Sequence, residues 1–157
     1  MTRDEILQDI QSRFPNDITY VLTRSPGKVY LDIRPEALLK ISERMFRGLK
    51  ARFNTATGFD ARYHMEMLYH FTFEDARLVV TLRAKLDKAK PEIDSLASLI
   101  EGANWVERET HEILGINFKG HPDLRRLLLP EDWPEGVYPL KRDYQEWDKG
   151  AIRDRGV

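Results

Sequence analysis

The chain has 157 residues, with 25 Lys plus Arg against 26 Asp plus Glu and a formal net charge of −1, so it has the length of one domain and offers no electrostatic case for nucleic acid. It contains no cysteine, which excludes disulfides, thiolate metal ligands, iron–sulfur ligation and a cysteine nucleophile on this chain. The charged opening MTRDEILQDI is not a signal-peptide pattern, and no apolar run approaches the roughly 20 residues that span a bilayer; any membrane link is expected to go through a partner.

Thr2 and Glu5 have the spacing of a capping box, and Ile6, Leu7, Ile10 and Phe14 form a helical stripe that Pro15-Asn16-Asp17 ends. The alternating runs ITYVLTR and KVYLDIR flank Ser25-Pro26-Gly27 and predict a hairpin. Pro35 opens a second helix, with Leu38, Ile41, Met45 and Leu49 on its buried face. Phe59 to Phe73 alternates with period two and predicts one long strand. Phe59, Ala61, Tyr63, Met65, Met67, Tyr69, Phe71 and Phe73 fall on its apolar side. Asp60, Arg62, His64, Glu66, His70 and Thr72 fall on its wet side, with Leu68 the exception. After a turn at Glu74-Asp75, the residues Ala76, Leu78, Val80, Leu82, Ala84 and Leu86 predict the returning strand.

The segment AKLDKAKPEIDSL, punctuated by Pro91, predicts a linker. Asn104 and Glu107 have capping-box spacing for a short helix that Gly115 stops. Beyond Gly115 the periodicity is lost. Pro122, Pro130, Pro134 and Pro139 forbid long helices, and Leu127–Leu129 has no evident strand partner. The expected fold is α+β, an antiparallel sheet with helices on one face, followed by an extended proline-rich C-terminal arm. The expected divisions are a sheet layer over 1–90, a linker and short motif helix of the same domain over 91–120, and a partner-binding arm over 121–157. The arm's aromatic and leucine content argues that it gains order by packing on something large.

Candidate chemistry is sparse. His111-Glu112 has the start of a zinc-protease helix, but the sequence runs H-E-I-L-G and lacks the second histidine. Glu107 and His111 share a helix face and could hold a metal or a hydrogen bond; Arg108 and Glu112 have ion-pair spacing. His64 and His70 read as surface residues, His121 before Pro122 as a turn, and Glu131-Asp132 between prolines as a capped turn. No G-x-G-x-x-G, P-loop or G-x-S-x-G occurs. A metal-dependent hydrolase built on Glu107, His111 and Glu112 and a free-standing adaptor are the alternatives to a subunit role.

The stretch from Ala103 to Tyr144 resembles the signature of the 30-kilodalton subunit family of the complex I peripheral arm. The matching residues are Trp105, Glu107-Arg108-Glu109, Gly115-Ile116, Gly120-His121-Pro122, Leu127-Leu128-Leu129 and Pro139-Leu140-Lys141-Arg142-Asp143. Lys141-Arg142 reverses the family's usual order of the two cations. Two details resemble one branch of the family, the homologous subunit of energy-converting membrane-bound NiFe hydrogenases and of related sulfur-reducing complexes. They are the string Leu129 to Leu140 and His111, where complex I members often carry an aromatic residue. The 30-kilodalton subunit of a true NADH-quinone oxidoreductase is the alternative.

The resemblance implies a non-catalytic subunit of a membrane-bound, ion-translocating redox complex, peripheral on the cytoplasmic side of the membrane. Its implied partners are the large subunit with the quinone or nickel site and the small subunit with the proximal iron–sulfur cluster. No cofactor is expected on this chain; clusters, and in the hydrogenase branch a nickel–iron centre, belong to the partners. The charged, aromatic, proline-rich segment then reads as a docking surface. Its expected contacts are Trp105, Glu107, Arg108, Glu109 and His111 on the motif helix, then His121, Arg125 and Arg126, then Trp133 and Tyr138, and finally Lys141 and Arg142.

Overall fold

The computed structural model describes residues 1–145; Trp147 and the rest of the expected arm lie outside the described residues. Helix α1 (Arg3–Arg13) opens on the capping box: Thr2 Oγ1 accepts the Glu5 N–H and the Glu5 carboxylate accepts the Thr2 N–H. Its Ile6 and Ile10 enter the core. Strands β1 (Ile18–Ser25) and β2 (Lys28–Ile33) form the expected hairpin around Pro26-Gly27. Pro35 starts a 3-10 turn that runs into α2 (Leu38–Glu43) and a π turn over Arg44–Gly48, burying Leu38, Ile41 and Met45.

Three strands complete the main sheet: β3 (Arg52–Asp60), β4 (Met65–Phe73) and β5 (Leu78–Leu86), in the order β1-β2-β5-β4-β3. The α+β class holds, with helices on one face. The sheet is mixed, however, because β2 and β5 pair in parallel. The chain leaves β2, makes α2, β3 and β4 elsewhere, and re-enters beside β2 running the same way.

The single strand expected over Phe59–Phe73 is two strands. Ala61–His64 turns the chain, closed by the Ala61 N–H on the His64 carbonyl at 3.0 Å. The turn inverts the phase: even-numbered Ala56 and Gly58 face the core on β3, odd-numbered Met65 to Phe73 on β4. Phe59 therefore points to the open face, and Tyr63, expected in the core, is 79% exposed at the turn. The expected wet face is itself partly closed. Arg83 forms a two-pronged pair with buried Asp32 (Nε–Oδ1 2.6 Å, Nη2–Oδ2 2.8 Å), and His64 covers buried Glu66. Ala76 lies in the turn before β5.

The expected linker contains a strand. β6 (Glu92–Asp94) pairs in parallel with β7 (Asn117–Lys119), and α3 (Ala103–Leu114) connects them. Ile93, Ile116 and Phe118 are buried there, so residues 91–120 form a small β-α-β unit. Gly102 is the N-cap of α3, with no side-chain cap; Asn104 lies within the first turn. Gly115 ends the helix at φ 74°, as expected.

Cross-strand register stacks the core in rows: Leu31, Leu82, Tyr69 and Ala56 in one, Ile33, Ala84, Met67 and Gly58 in the next. Met67→Asp would place an unpaired charge in the second row and is expected to abolish cooperative thermal unfolding. Tyr63→Asp, at the exposed turn, should leave the melting temperature within about 2 °C of the parent.

Candidate functional site

Helix α3 presents two opposite faces. Ala103, Glu107, Thr110 and Leu114 recur at i, i+4, i+7 and i+11 and are all buried against the sheet. Trp105, Arg108, Glu109 and Glu112 occupy the other side, beneath and beside the arm. Contact with the sheet is close: a Cβ at Gly58 would lie 2.7 Å from Thr110 Cγ2 and 2.9 Å from Leu114 Cδ1.

Glu107 sits on the core stripe, with no side-chain exposure. Its carboxylate accepts from Ser95 Oγ at 2.5 Å and from the Leu96 N–H at 2.7 Å. The Ala97 N–H donates to Ser95 Oγ at 3.0 Å, which fixes that hydroxyl. His121 Nδ1 accepts the Asp123 N–H at 2.9 Å, leaving the proton on Nε2. Nε2 donates to the Asn104 carbonyl at 3.1 Å and lies 3.8 Å from Glu107 Oε2. Burial pushes the Glu107 carboxyl up to about 7 despite these donors. The buried Tyr69 hydroxyl has no hydrogen-bond partner among the described residues. Its pKa is driven well up by burial and by the nearby charges of Glu107 and Asp94. Glu107 and His121, expected on the docking surface, are thus internal. They tie the strand-to-helix turn at Ser95 to the root of the arm.

The arm carries no helix or strand over 121–145, yet it is fastened back onto α3. Arg108 donates to the Arg125 and Arg126 carbonyls at 2.9 and 2.8 Å. Glu112 accepts the N–H groups of Leu127, Leu128 and Leu129. These contacts replace the ion pair expected between the two residues. Arg126 donates to the Pro130 and Trp133 carbonyls, and Trp133 Nε1 to the Val137 carbonyl at 2.9 Å. The Tyr138 ring lies over Gly115, where a Cβ would come within 2.7 Å of it. The Leu140 N–H donates to the Ile113 carbonyl at 3.0 Å, and the Arg142 N–H to Asp60 Oδ2 at 3.0 Å. Lys141 Nζ stands 5.3 Å from the Tyr138 ring centre.

Between α3 and the arm lies an open cleft of about 450 Å³ walled by His111, Glu112, Arg125, Arg126, Trp133 and Tyr138. Trp105 does not line this cleft and is 67% exposed. Glu109 is half-buried on the same outer side, and Arg125 is exposed and paired with Asp123. The leucine run, which has no strand partner, is held by its backbone.

The hydrolase alternative requires Glu107, His111 and Glu112 to converge. Glu107 faces Ser95, His111 Nδ1 donates to the Ile116 carbonyl at 2.8 Å, and Glu112 faces the arm amides. The three diverge, and among the described residues no three His, Asp or Glu side chains are grouped to share an ion.

The raised Glu107 pKa sets a pH dependence. The native chain holds this proton more tightly than the unfolded chain. Stability should therefore fall as pH rises from the ordinary 4.5 toward about 7, with the full cost present above that. Glu107→Gln removes the charge, so its stability relative to the parent should rise across this window by on the order of 3 kcal/mol. Denaturant unfolding at pH 5 and pH 8 measures it; a difference that does not change with pH would contradict the assignment.

Residues 31–149 match the family described as respiratory-chain NADH dehydrogenase, 30 Kd subunit. The chain is 32% identical over 152 residues to the C-type subunit of F(420)H(2) dehydrogenase from Methanosarcina mazei, covering 95% of this chain and 96% of that protein. It is 31% identical over 151 residues to the C-type subunit of NADH-quinone oxidoreductase from Salinispora tropica, covering 90% of this chain and 60% of that protein. Two solved structures share the fold. A chain of the membrane-bound sulfane sulfur reductase, an archaeal respiratory membrane complex, matches with a TM-score of 0.78 at 17% identity, over 92% of this chain and 86% of that one. A trypsin-resistant fragment of Nqo5 matches with a TM-score of 0.63 at 18% identity, over 79% of this chain and all of the fragment. The family match takes in β2 through the arm, and with relatives of about this identity along nearly the whole chain it establishes that the protein belongs to the 30-kilodalton subunit family of respiratory-chain NADH dehydrogenases.

Proposed function

We propose that this chain is a non-catalytic, peripheral subunit of a membrane-bound, ion-translocating redox complex, and that the outer face of α3 and the arm dock on the large subunit, near the small subunit with the proximal cluster. The observation that carries this reading is the coincidence of the family signature with one surface. Glu107, Ile116 and His121 lie inside the fold, but most of the other matching residues build α3's outer side and the arm fastened to it, with Trp105, Leu128 and Leu140 each more than 60% exposed. Exposed aromatic and aliphatic groups on an ordered scaffold are the usual anchors of a protein interface.

The redox centres belong to the partner subunits in this reading, consistent with a chain that has no cysteine. No helix among the described residues is long and apolar enough to cross a membrane, and the membrane is reached through the complex, on its cytoplasmic side. Which branch supplies the partners is a separate question. Leu129–Leu140 resembles the hydrogenase and sulfur-reductase branch. The end-to-end relationship to the F(420)H(2) dehydrogenase protein favours a dehydrogenase-type assembly as the second reading. Genes beside this one for a nickel-binding or a quinone-site large subunit separate the two.

The docking reading is tested by co-purification. A chain ending at Asp123 keeps every strand, α3 and the His121 contacts, and is expected to retain a cooperative melt while failing to co-purify with the large subunit. Trp105→Ala should leave folding unchanged and weaken assembly by upward of about 2 kcal/mol. Arg126→Ala and Trp133→Ala should weaken it through the arm. Full-yield co-purification of the shortened chain would remove the arm from the interface.

A further inference from the structure

Five consecutive residues of the arm, 125 to 129, are held through their backbone by two side chains of opposite charge placed one helical turn apart. The Arg108 guanidinium takes the Arg125 and Arg126 carbonyls. The Glu112 carboxylate takes the next three N–H groups, Oε2 that of Leu127 at 2.9 Å and Oε1 those of Leu128 and Leu129. The order of signs matches the order of the backbone groups: carbonyls first, toward the cation, then amides, toward the anion. Successive amides converging on one anion form a concave nest, and bonds to a charged partner are about twice as strong as neutral ones. Glu112 is buried beneath this loop although its helix face would otherwise meet solvent. No strand or helix supports 125–129, so this pair of side chains supplies the hydrogen bonding that regular structure would provide elsewhere.

What the clamp presents is also specific. With its amide bound to Glu112, Leu128 turns its side chain outward and is 61% exposed. Arg126 is placed to bind the Pro130 and Trp133 carbonyls, which continues the arm's course.

We infer that Arg108 and Glu112 are positioning residues that hold 125–129 in the shape in which the arm docks, so that the partner subunit meets a preformed surface. This rests on the docking reading above. A segment that visits its binding shape a tenth of the time binds about tenfold more weakly, and a loss of that kind falls on the association rate. A residue that merely touches the partner would instead change dissociation.

The experiment measures binding of the full chain to the complex purified without it, together with amide hydrogen exchange in the free chain. Arg108→Lys and Glu112→Gln preserve side-chain length, so folding is protected where Glu112→Ala would leave three amides unpaired. Arg108→Lys replaces the two-pronged guanidinium with a single ammonium. Glu112→Gln replaces one acceptor with a donor facing the Leu127 N–H. Each is expected to raise exchange at 127–129, leave exchange in β4 and β5 unchanged, and slow association about tenfold with an unaltered dissociation rate. The double variant should be little worse than either single one, because both act on one segment. Faster exchange with unchanged association would overturn the inference and leave the docking arm standing. Unchanged exchange with faster dissociation would make the two residues direct contacts and also overturn it. The chain ending at Asp123 separates the two readings: if it binds the complex normally, the docking arm itself is wrong.

Discussion

The closeness of α3 to the sheet governs everything downstream of it. The helix can sit where it does because position 58 has no side chain; any Cβ there would strike Thr110, Leu114 and the Met67 sulfur, at 2.7, 2.9 and 3.0 Å. That contact fixes the helix's rotation as well as its distance. With Thr110 and Leu114 turned down, Glu107 is committed to the core and Arg108 and Glu112 to the arm. A larger residue at 58 would lift the helix and shift all the bonds that give the arm its course.

The two buried carboxylates of α3 show how differently one residue type is stabilised by its surroundings. Glu112 receives three backbone N–H groups and makes an otherwise unsupported loop possible. Glu107 receives one hydroxyl and one N–H and remains costly to ionise. Its return is geometric: it reaches across to Ser95 and Leu96, and so joins the strand β6 end to the helix that follows. Retaining a polar group in the core for specificity at a cost in stability is an attested role for such residues.

Much of the fold is legible in the residues alone, because the cues are local. The Thr2–Glu5 box, the Pro26-Gly27 hairpin, the Pro35 helix start and the Gly115 stop each act within a few residues. Expectation and structure part where a pattern continues across a break. Alternation runs from Phe59 to Phe73 with Leu68 its one exception, well past the break, so nothing marks the turn at Ala61–His64 or the reversal of faces it produces. β3 itself, RFNTATGFD, has few apolar residues because helix α3 covers it at a glycine. β6 and β7 are three residues each, below the length at which periodicity carries a signal. At the candidate site, the motif marks out a stretch, but spacing alone does not say which side chains face inward. One signal is available for Glu107: it falls on the same helical stripe as Ala103, Thr110 and Leu114. The clamp of Arg108 and Glu112 has none, because its partners are backbone groups, which the sequence does not distinguish.

The parallel pairing of β2 with β5 has a kinetic side. The β1–β2 hairpin and the β3–β4–β5 meander are each built from neighbours in sequence, and each can close its ladders over short loops. Joining the two requires Lys28 to meet Val79 and Ile33 to meet Ala84, which closes a loop of about 50 residues before any of that ladder is rewarded. The seam between strands β2 and β5 is therefore the entropically dearest step in assembling the sheet, and the hydrophobic rows that cross it, Leu31 on Leu82 and Val29 on Val80, are where substitutions would slow folding more than they hasten unfolding.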